Sequence, residues 1–170
     1  MHGTFITFEG GEGSGKSTQL AMLEETFKVA NHPYVKTREP GGNANAELIR
    51  NLLVSGSHEA WDPLAETLLF CAARVEHVQK LVKPALASGK TVLCDRFTDA
   101  SFAYQCAGRG LSQSKLQLLN ENFVSHMPDI TFWLDAPIET GMSRARERGA
   151  LDRFEQEKVT FFEKVRAGYQ

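Results

Sequence analysis

The ten residues from Glu9 to Thr18, reading Glu-Gly-Gly-Glu-Gly-Ser-Gly-Lys-Ser-Thr, hold the densest chemistry in this chain. Their core, Gly10 to Ser17, fits the pattern G-x-x-x-x-G-K-[ST], in which backbone N–H groups converge on phosphate oxygens at a helix start. Gly10, Gly11, Gly13 and Gly15 allow backbone conformations that a Cβ forbids and a close approach to the anion. Glu12 and Ser14 alternate with these glycines, and the whole run through Thr18 is the expected nucleotide phosphate-binding loop. Lys16 is placed to reach the β- and γ-phosphates, and the Ser17 hydroxyl to ligate Mg²⁺. The plainer alternative is a Gly-rich turn with a chance lysine. The flanks argue against it: Phe5-Ile6-Thr7-Phe8 reads as a buried parallel strand entering the loop, and Gln19 to Glu25 as the helix leaving it.

Other residues could complete such a site. Phe70 and Arg74 lie four apart on a predicted helix and so project from one face. A stacking ring beside a guanidinium donor suits a planar base with carbonyl acceptors; a core Phe and a solvated Arg would give the same spacing. Arg96 follows Asp95 at a predicted strand end, where a structural ion pair is the ordinary explanation. Arg50 by itself reads as a surface residue. His2, His32, His58, His77 and His126 show no metal-ligand spacing and receive no function.

These residues need a scaffold, and 170 residues with 42% hydrophobic content suit one globular domain with a real core. A net charge of −2 argues against a nucleic-acid binder that works by broad phosphate neutralisation. Cys71, Cys94 and Cys106 contain no C-x-x-C pair and read as free thiols of a reducing compartment. No apolar run approaches a membrane span, and the N-terminus lacks a secretory h-region. The expectation is a cytoplasmic protein without membrane or nucleic-acid partners.

Along the chain, the first helix fades near Asn31-His32-Pro33, and Tyr34–Thr37 reads as a strand entering the Arg38–Gly42 loop. Asn45–Leu53 is helical by spacing. Asp62-Pro63 reads as an N-cap with Pro at the first helical position, opening a helix through Gln79. Pro84 is expected to kink or restart it, with Gly89 as its C′ residue. Thr91–Cys94 and Ile130–Leu134 read as strands. Leu116–Val124 reads as a helix, and another begins at Ile138 and carries Arg144, Arg146 and Arg148 before Gly149. Asp152 with Glu155 predicts a capping arrangement for a last helix reaching about Ala167. This alternation implies an α/β fold, a doubly wound parallel sheet with helices on both faces, whose ligand sits beyond the carboxyl ends of the strands.

The order and spacing of several segments resemble thymidylate kinases of the bacterial type. They are Phe8–Thr18, Thr37–Gly42, Leu69–Arg74, Asp95-Arg96-Phe97 with Ala103-Tyr104-Gln105 and Gly108–Gly110, Leu134-Asp135, and Arg144–Arg153. The resemblance covers essentially the whole chain and implies a P-loop nucleoside-monophosphate kinase fold over residues 1–170. It also implies transfer of the ATP γ-phosphoryl group to dTMP, giving dTDP and ADP with Mg²⁺, in dTTP synthesis. By the same resemblance Phe70 stacks on thymine, Arg74 bonds its O4 and Gln105 lies near the base. Arg50 and Arg96 hold the dTMP phosphate, Glu12 contacts the 3′-hydroxyl and Tyr104 crowds the 2′ position. A lid at about 141–153 supplies catalytic cations, with Arg148 and Arg153 the expected pair flanking Gly149, beside Lys16 and Arg96. The family is usually a homodimer.

Asn43, Ala100 and Cys106 stand where the family usually has Thr, Ser and Gly. Family members also continue past Tyr169 with a further strand and helix, whereas this sequence ends at Gln170. Without that strand, its neighbour's backbone edge and apolar face are expected to be exposed. A truncated nucleotide-binding relative without turnover and another monophosphate kinase are the alternative readings. A GTPase-like switch is disfavoured by the lack of an N-K-x-D segment.

Overall fold

Four short strands carry the sheet: β1 (Phe5–Glu9), β2 (Tyr34–Arg38), β3 (Thr91–Asp95) and β4 (Ile130–Trp133). They are all parallel, in the order β2-β3-β1-β4, in a computed structural model that describes residues 2–55, 61–147 and 152–170. The helices are α1 (Lys16–Val29), α2 (Ala44–Val54), α3 (Pro63–His77), α4 (Lys83–Ala87), α5 (Thr98–Ser101), α6 (Gln113–Phe123), α7 (Ile138–Glu147) and α8 (Val159–Tyr169). Among the described residues no helix is long and apolar enough to cross a membrane.

The central strands bury both faces, as a doubly wound sheet requires. Phe5 on β1 and Val92 and Cys94 on β3 pack with Val78, Val82 and Leu86 on one side. Ile6, Phe8 and Leu93 pack with Leu20 of α1 on the other. Alternation within the strands assigns these side chains to opposite faces. The register Phe8↔Asp95 sets the carboxyl ends of β1 and β3 side by side, and the chain order reverses between β3 and β4 around β1. That is the crevice where ligands of open α/β sheets bind.

Helix starts follow their caps. Asn43 Oδ1 accepts from Ala46 N at 3.1 Å to open α2, and Asp62 Oδ1 accepts from Leu64 N at 2.9 Å to open α3. The helix begun at Asp62 continues past Gln79. A π-helical turn, Val78–Val82, precedes Pro84, whose ring lacks the N–H that an α turn would bond to the Lys80 carbonyl. Two expectations need correction. The segment after Arg96, given no element from sequence, forms α5 and a second π-helical stretch, Phe102–Gly108. The Asp152–Glu155 bonds form, with Asp152 Oδ1 accepting from Phe154 N and Glu155 N at 2.9 Å each, yet they close a turn, and α8 begins only at Val159. Arg153 and Phe154 are drawn into the interior there, which holds this turn apart from the helix.

β4 is an edge strand with Phe132 and Trp133 more than two-fifths exposed, beside the exposed Met22 of α1, as expected for an uncovered edge. At the other end of the site, α7 meets the phosphate loop backbone to backbone. A Cβ on Gly13, whose φ is +61°, would strike the Gly141 carbonyl, and one on Gly141 would strike the Glu12 carbonyl. Gly141→Ala should therefore push α7 off the loop and weaken tripolyphosphate binding. Calorimetric titration checks this; unchanged affinity in a normally folded variant would show that the contact does not shape the loop.

Candidate active site

β1 delivers the chain into the loop, and Gly15, with φ +100°, turns it into α1. Lys16 Nζ donates to the carbonyls of Gly10 at 3.0 Å and Gly11 at 2.8 Å. Burial, reinforced by the nearby Arg96 charge, lowers the Lys16 ammonium to about 8, so it stays largely charged at neutral pH. Ser17 and Thr18 are exposed on the first turn of α1 and face a cleft of about 1450 Å³. Ser14 lines the same cleft, and its buried Oγ has no hydrogen-bond partner among the described residues, which leaves a hydroxyl for an incoming phosphate. Arg144 reaches this cleft from α7 and donates to the Gly13 carbonyl at 3.2 Å. The cleft wall includes Asp95, whose buried Oδ1 likewise has no partner among the described residues.

Arg96 occupies the centre. Its backbone is left-handed, φ +69°, and its N–H is tied to the Phe8 carbonyl at 2.9 Å. Such a conformation costs energy in a non-glycine residue and persists where neighbours fix it. The guanidinium donates to Gly10 O at 2.7 Å, Tyr169 Oη at 3.2 Å and Glu12 Oε1 at 2.6 Å, and lies 4.8 Å from the Tyr104 ring centroid. Tyr104 donates to the same Glu12 oxygen at 2.9 Å. Beneath them Glu9 accepts from Phe97 N at 2.6 Å and Tyr169 Oη at 3.1 Å. Burial pushes the Glu9 carboxyl up to about 7 against the pull of Arg96.

A second cavity, about 550 Å³, opens beside the first and shares Glu12, Glu39, Arg50 and Arg96 with it. Phe70, Phe97, Tyr104 and Phe154 give it aromatic walls, and Phe70 meets Phe154 edge-on at 5.8 Å. Arg50 donates to the Pro40 carbonyl at 2.9 Å and lines both cavities. Arg74, fully buried, donates Nε to Glu39 at 2.7 Å and Nη2 to Phe97 O at 3.0 Å and Ser101 Oγ at 2.9 Å. Its Nη1 has no partner among the described residues. An unpaired buried donor costs free energy, and a carbonyl acceptor entering the cavity would relieve it. Gln105 also lines the cavity, with Nε2 committed to Glu66 at 2.9 Å.

The structure thus gathers Glu12, Arg50, Phe70, Arg74, Arg96, Tyr104 and Gln105 around one cavity, next to the Gly10–Thr18 loop. Arg148 lies outside the described residues. Arg153 requires correction: it is 1% exposed, donates to Glu66 at 2.6 Å and to the Leu53 carbonyl at 2.6 Å, and is no free lid cation. A carboxylate buried on α3 captures it. Sequence reasoning missed Glu39 and Phe154, which had no spacing to mark them, and Asp95 as a wall of the cleft beside the Gly10–Thr18 loop. Asp95 was legible as an acidic residue at a strand's carboxyl end.

The family model described as thymidylate kinase matches residues 8–170. Thymidylate kinase of Acinetobacter baylyi is 63% identical over 169 residues, spanning 98% of this chain and 83% of the relative. That of Teredinibacter turnerae is 54% identical over 173 residues, spanning 100% and 83%. The crystal structure of thymidylate kinase from Ehrlichia chaffeensis superposes with a TM-score of 0.78 at 38% identity, covering 99% of this chain and 80% of that one.

Two outcomes follow from the buried charges. Arg153→Ala removes the closest cation from the buried Glu66 carboxylate, leaving it Gln105 at 2.9 Å and Arg109 at 3.5 Å, and should cost up to about 3–5 kcal/mol of stability in denaturant unfolding, with turnover per folded molecule largely kept; the reverse pattern would restore a catalytic role. For Glu9, the raised folded-state value favours the neutral acid, so its stabilising contribution is complete below the ordinary 4.5 and is lost as pH rises through about 7. The loss is on the order of 3 kcal/mol. Glu9→Gln should flatten the fall in unfolding free energy between those pH values, and an unchanged slope would mean another group titrates there.

Proposed function

The chain belongs to the thymidylate kinase family, and on that premise we propose which of its residues carry the transfer of the ATP γ-phosphoryl group to dTMP. An oxygen of the dTMP phosphate attacks the γ-phosphorus, the bond to the β,γ-bridging oxygen breaks, and dTDP and ADP result. The loop Gly10–Thr18 holds the triphosphate, with Lys16 on the β- and γ-phosphates and the Ser14 hydroxyl as a further donor. Arg50 and Arg96 hold the acceptor phosphate between the two cavities, where paired guanidinia offset repulsion between two anions. Phe70 stacks on thymine, and Glu12, Tyr104 and Gln105 surround the sugar and base.

The buried, unpartnered Nη1 of Arg74, a residue that lines the aromatic-walled cavity, supports the base assignment, because a ring carbonyl would give it an acceptor. Mg²⁺ fits the triphosphate cleft, where the Ser17 hydroxyl and the unbonded Asp95 Oδ1 are hard oxygen donors. Bound there, the ion would neutralise charge on the β- and γ-phosphates. The lid at about 141–153 contributes Arg144, whose guanidinium already reaches the loop, and Arg148. We also infer a single kinase domain over 1–170, a cytoplasmic location, and a homodimer. Exposed Leu48 and Leu52 of α2 and Leu64 and Leu68 of α3 support the dimer, since these helices pack together and present an apolar surface.

Coupled ADP release across dTMP, dUMP, dCMP, AMP and GMP tests the acceptor, with dTMP expected to be preferred. Arg74→Ala should raise the dTMP KM by the equivalent of about 2–4 kcal/mol while leaving the ATP KM nearly unchanged. An unaltered dTMP KM would remove Arg74 from base recognition.

A further inference from the structure

His77 sits on the last turn of α3, 0% exposed, where no metal, substrate or catalytic task reaches it. Its surroundings are nonetheless specific. Nδ1 lies 2.9 Å from Glu39 Oε1, and Nε2 lies 2.8 Å from Thr37 Oγ1. The other Glu39 oxygen accepts from Arg74 Nε at 2.7 Å. These contacts form one buried chain, Thr37–His77–Glu39–Arg74, running from the end of β2 to the base cavity. A side chain on Gly42 would collide with both Thr37 and His77, so the loop after Glu39 closes directly over the imidazole.

The partners fix the proton positions. Glu39 as a carboxylate can only accept, so Nδ1 of His77 must carry hydrogen. In the neutral ring Nε2 is then an acceptor, and the Thr37 hydroxyl donates to it. Glu39 is held from two sides, and its second oxygen is aimed along the Arg74 guanidinium plane. Arg74, which lines the cavity, is thereby held with Nε and Nη2 occupied and Nη1 buried without a partner among the described residues. Without a donor at Nδ1, Glu39 would lose half of its orientation and the guanidinium could rotate to satisfy it with a second nitrogen. That rotation would consume the donor meant for the base.

We propose that His77 is a positioning residue for acceptor recognition: its Nδ1–H, oriented by Thr37, locks Glu39 so that Arg74 keeps Nη1 free for the base carbonyl. The inference rests on the assignment of the neighbouring cavity to dTMP. His77→Asn keeps an amide N–H near the place of Nδ1, His77→Gln offers its amide near the place of Nε2 instead, and His77→Leu removes both. The dTMP KM should rise at least tenfold in the Leu and Gln variants, stay within about threefold of wild type in the Asn variant, and leave the ATP KM and kcat within a few-fold throughout. Long-range proton–nitrogen NMR of the wild-type protein should show hydrogen on Nδ1 of His77, assigned by its loss in His77→Asn.

A merely structural histidine would lower thermal stability in all three variants with the dTMP KM unmoved, and that result overturns the proposal. A ring without hydrogen on Nδ1 overturns it too. If the wild-type protein fails to phosphorylate dTMP at all, the assignment of the cavity fails first. The nitrogen spectrum still decides the hydrogen-bond chain in that case, because it needs no turnover.

Discussion

The placement of one guanidinium governs how the rest of the site can be built. Arg96 leaves β3 in a left-handed conformation that its residue type does not favour, and three groups from distant parts of the chain hold it: Gly10 and Glu12 of the phosphate loop and Tyr169 of α8. Tyr104 flanks it from the π-helical stretch. A buried cation with every contact satisfied is tolerable; one left unpaired is not. The loop, the acceptor cavity and the last helix must therefore adopt their positions together. This coupling joins the sheet's topology to a single catalytic geometry, since β1 and β3 are neighbours only because the chain crosses over between them.

The same logic shows what the substrates must replace. Lys16 and Arg96 rest on loop carbonyls and on Glu12, acceptors weaker or fewer than those a phosphate offers. The Lys16 and Arg96 bonds are already charge-assisted by the cations, and a phosphate would add formal negative charge and further acceptor oxygens. Exchange of partners, with little reorganisation of the backbone, then suffices for binding. Arg50 and Glu39 border both cavities, so a change in either cavity reaches them. Arg144 is different in kind: it comes from α7 and contacts the loop at the Gly13 carbonyl.

Much of this was legible in sequence because local rules dominate it. The phosphate loop is a contiguous motif flanked by a strand and a helix. The Asp62 cap obeys its own chemistry, and Phe70 and Arg74 reach one cavity because helical spacing demands it. What sequence could not give was set by contacts between segments far apart. Arg153 reads as a lid cation until Glu66, 87 residues earlier, captures it. The Asp152 turn looks like a helix cap until burial of Phe154 among aromatic rings separates it from α8. The π-helical stretch 102–108 has no period to announce it and is shaped by packing against α8, where Gly168 admits the backbone of Ala103.

The inner face of α3 shows why these long-range captures matter. Glu66, Phe70, Arg74 and His77 follow one another at helical spacing, a stripe that in an ordinary surface helix would be apolar. Here Glu66 holds Arg153 and Gln105, Arg74 holds Glu39, and His77 bonds the same carboxylate. Replacing such buried ionic groups with hydrocarbon is often neutral or favourable for stability, so stability alone does not account for them. What hydrocarbon cannot do is aim a donor. Apolar packing tolerates small rotations, whereas a guanidinium bonded on two nitrogens has one orientation, and discrimination between bases depends on presenting a donor where the wrong base has one of its own. The polar stripe trades some stability for direction, and Phe70, its one apolar member, gives the cavity one of its aromatic walls.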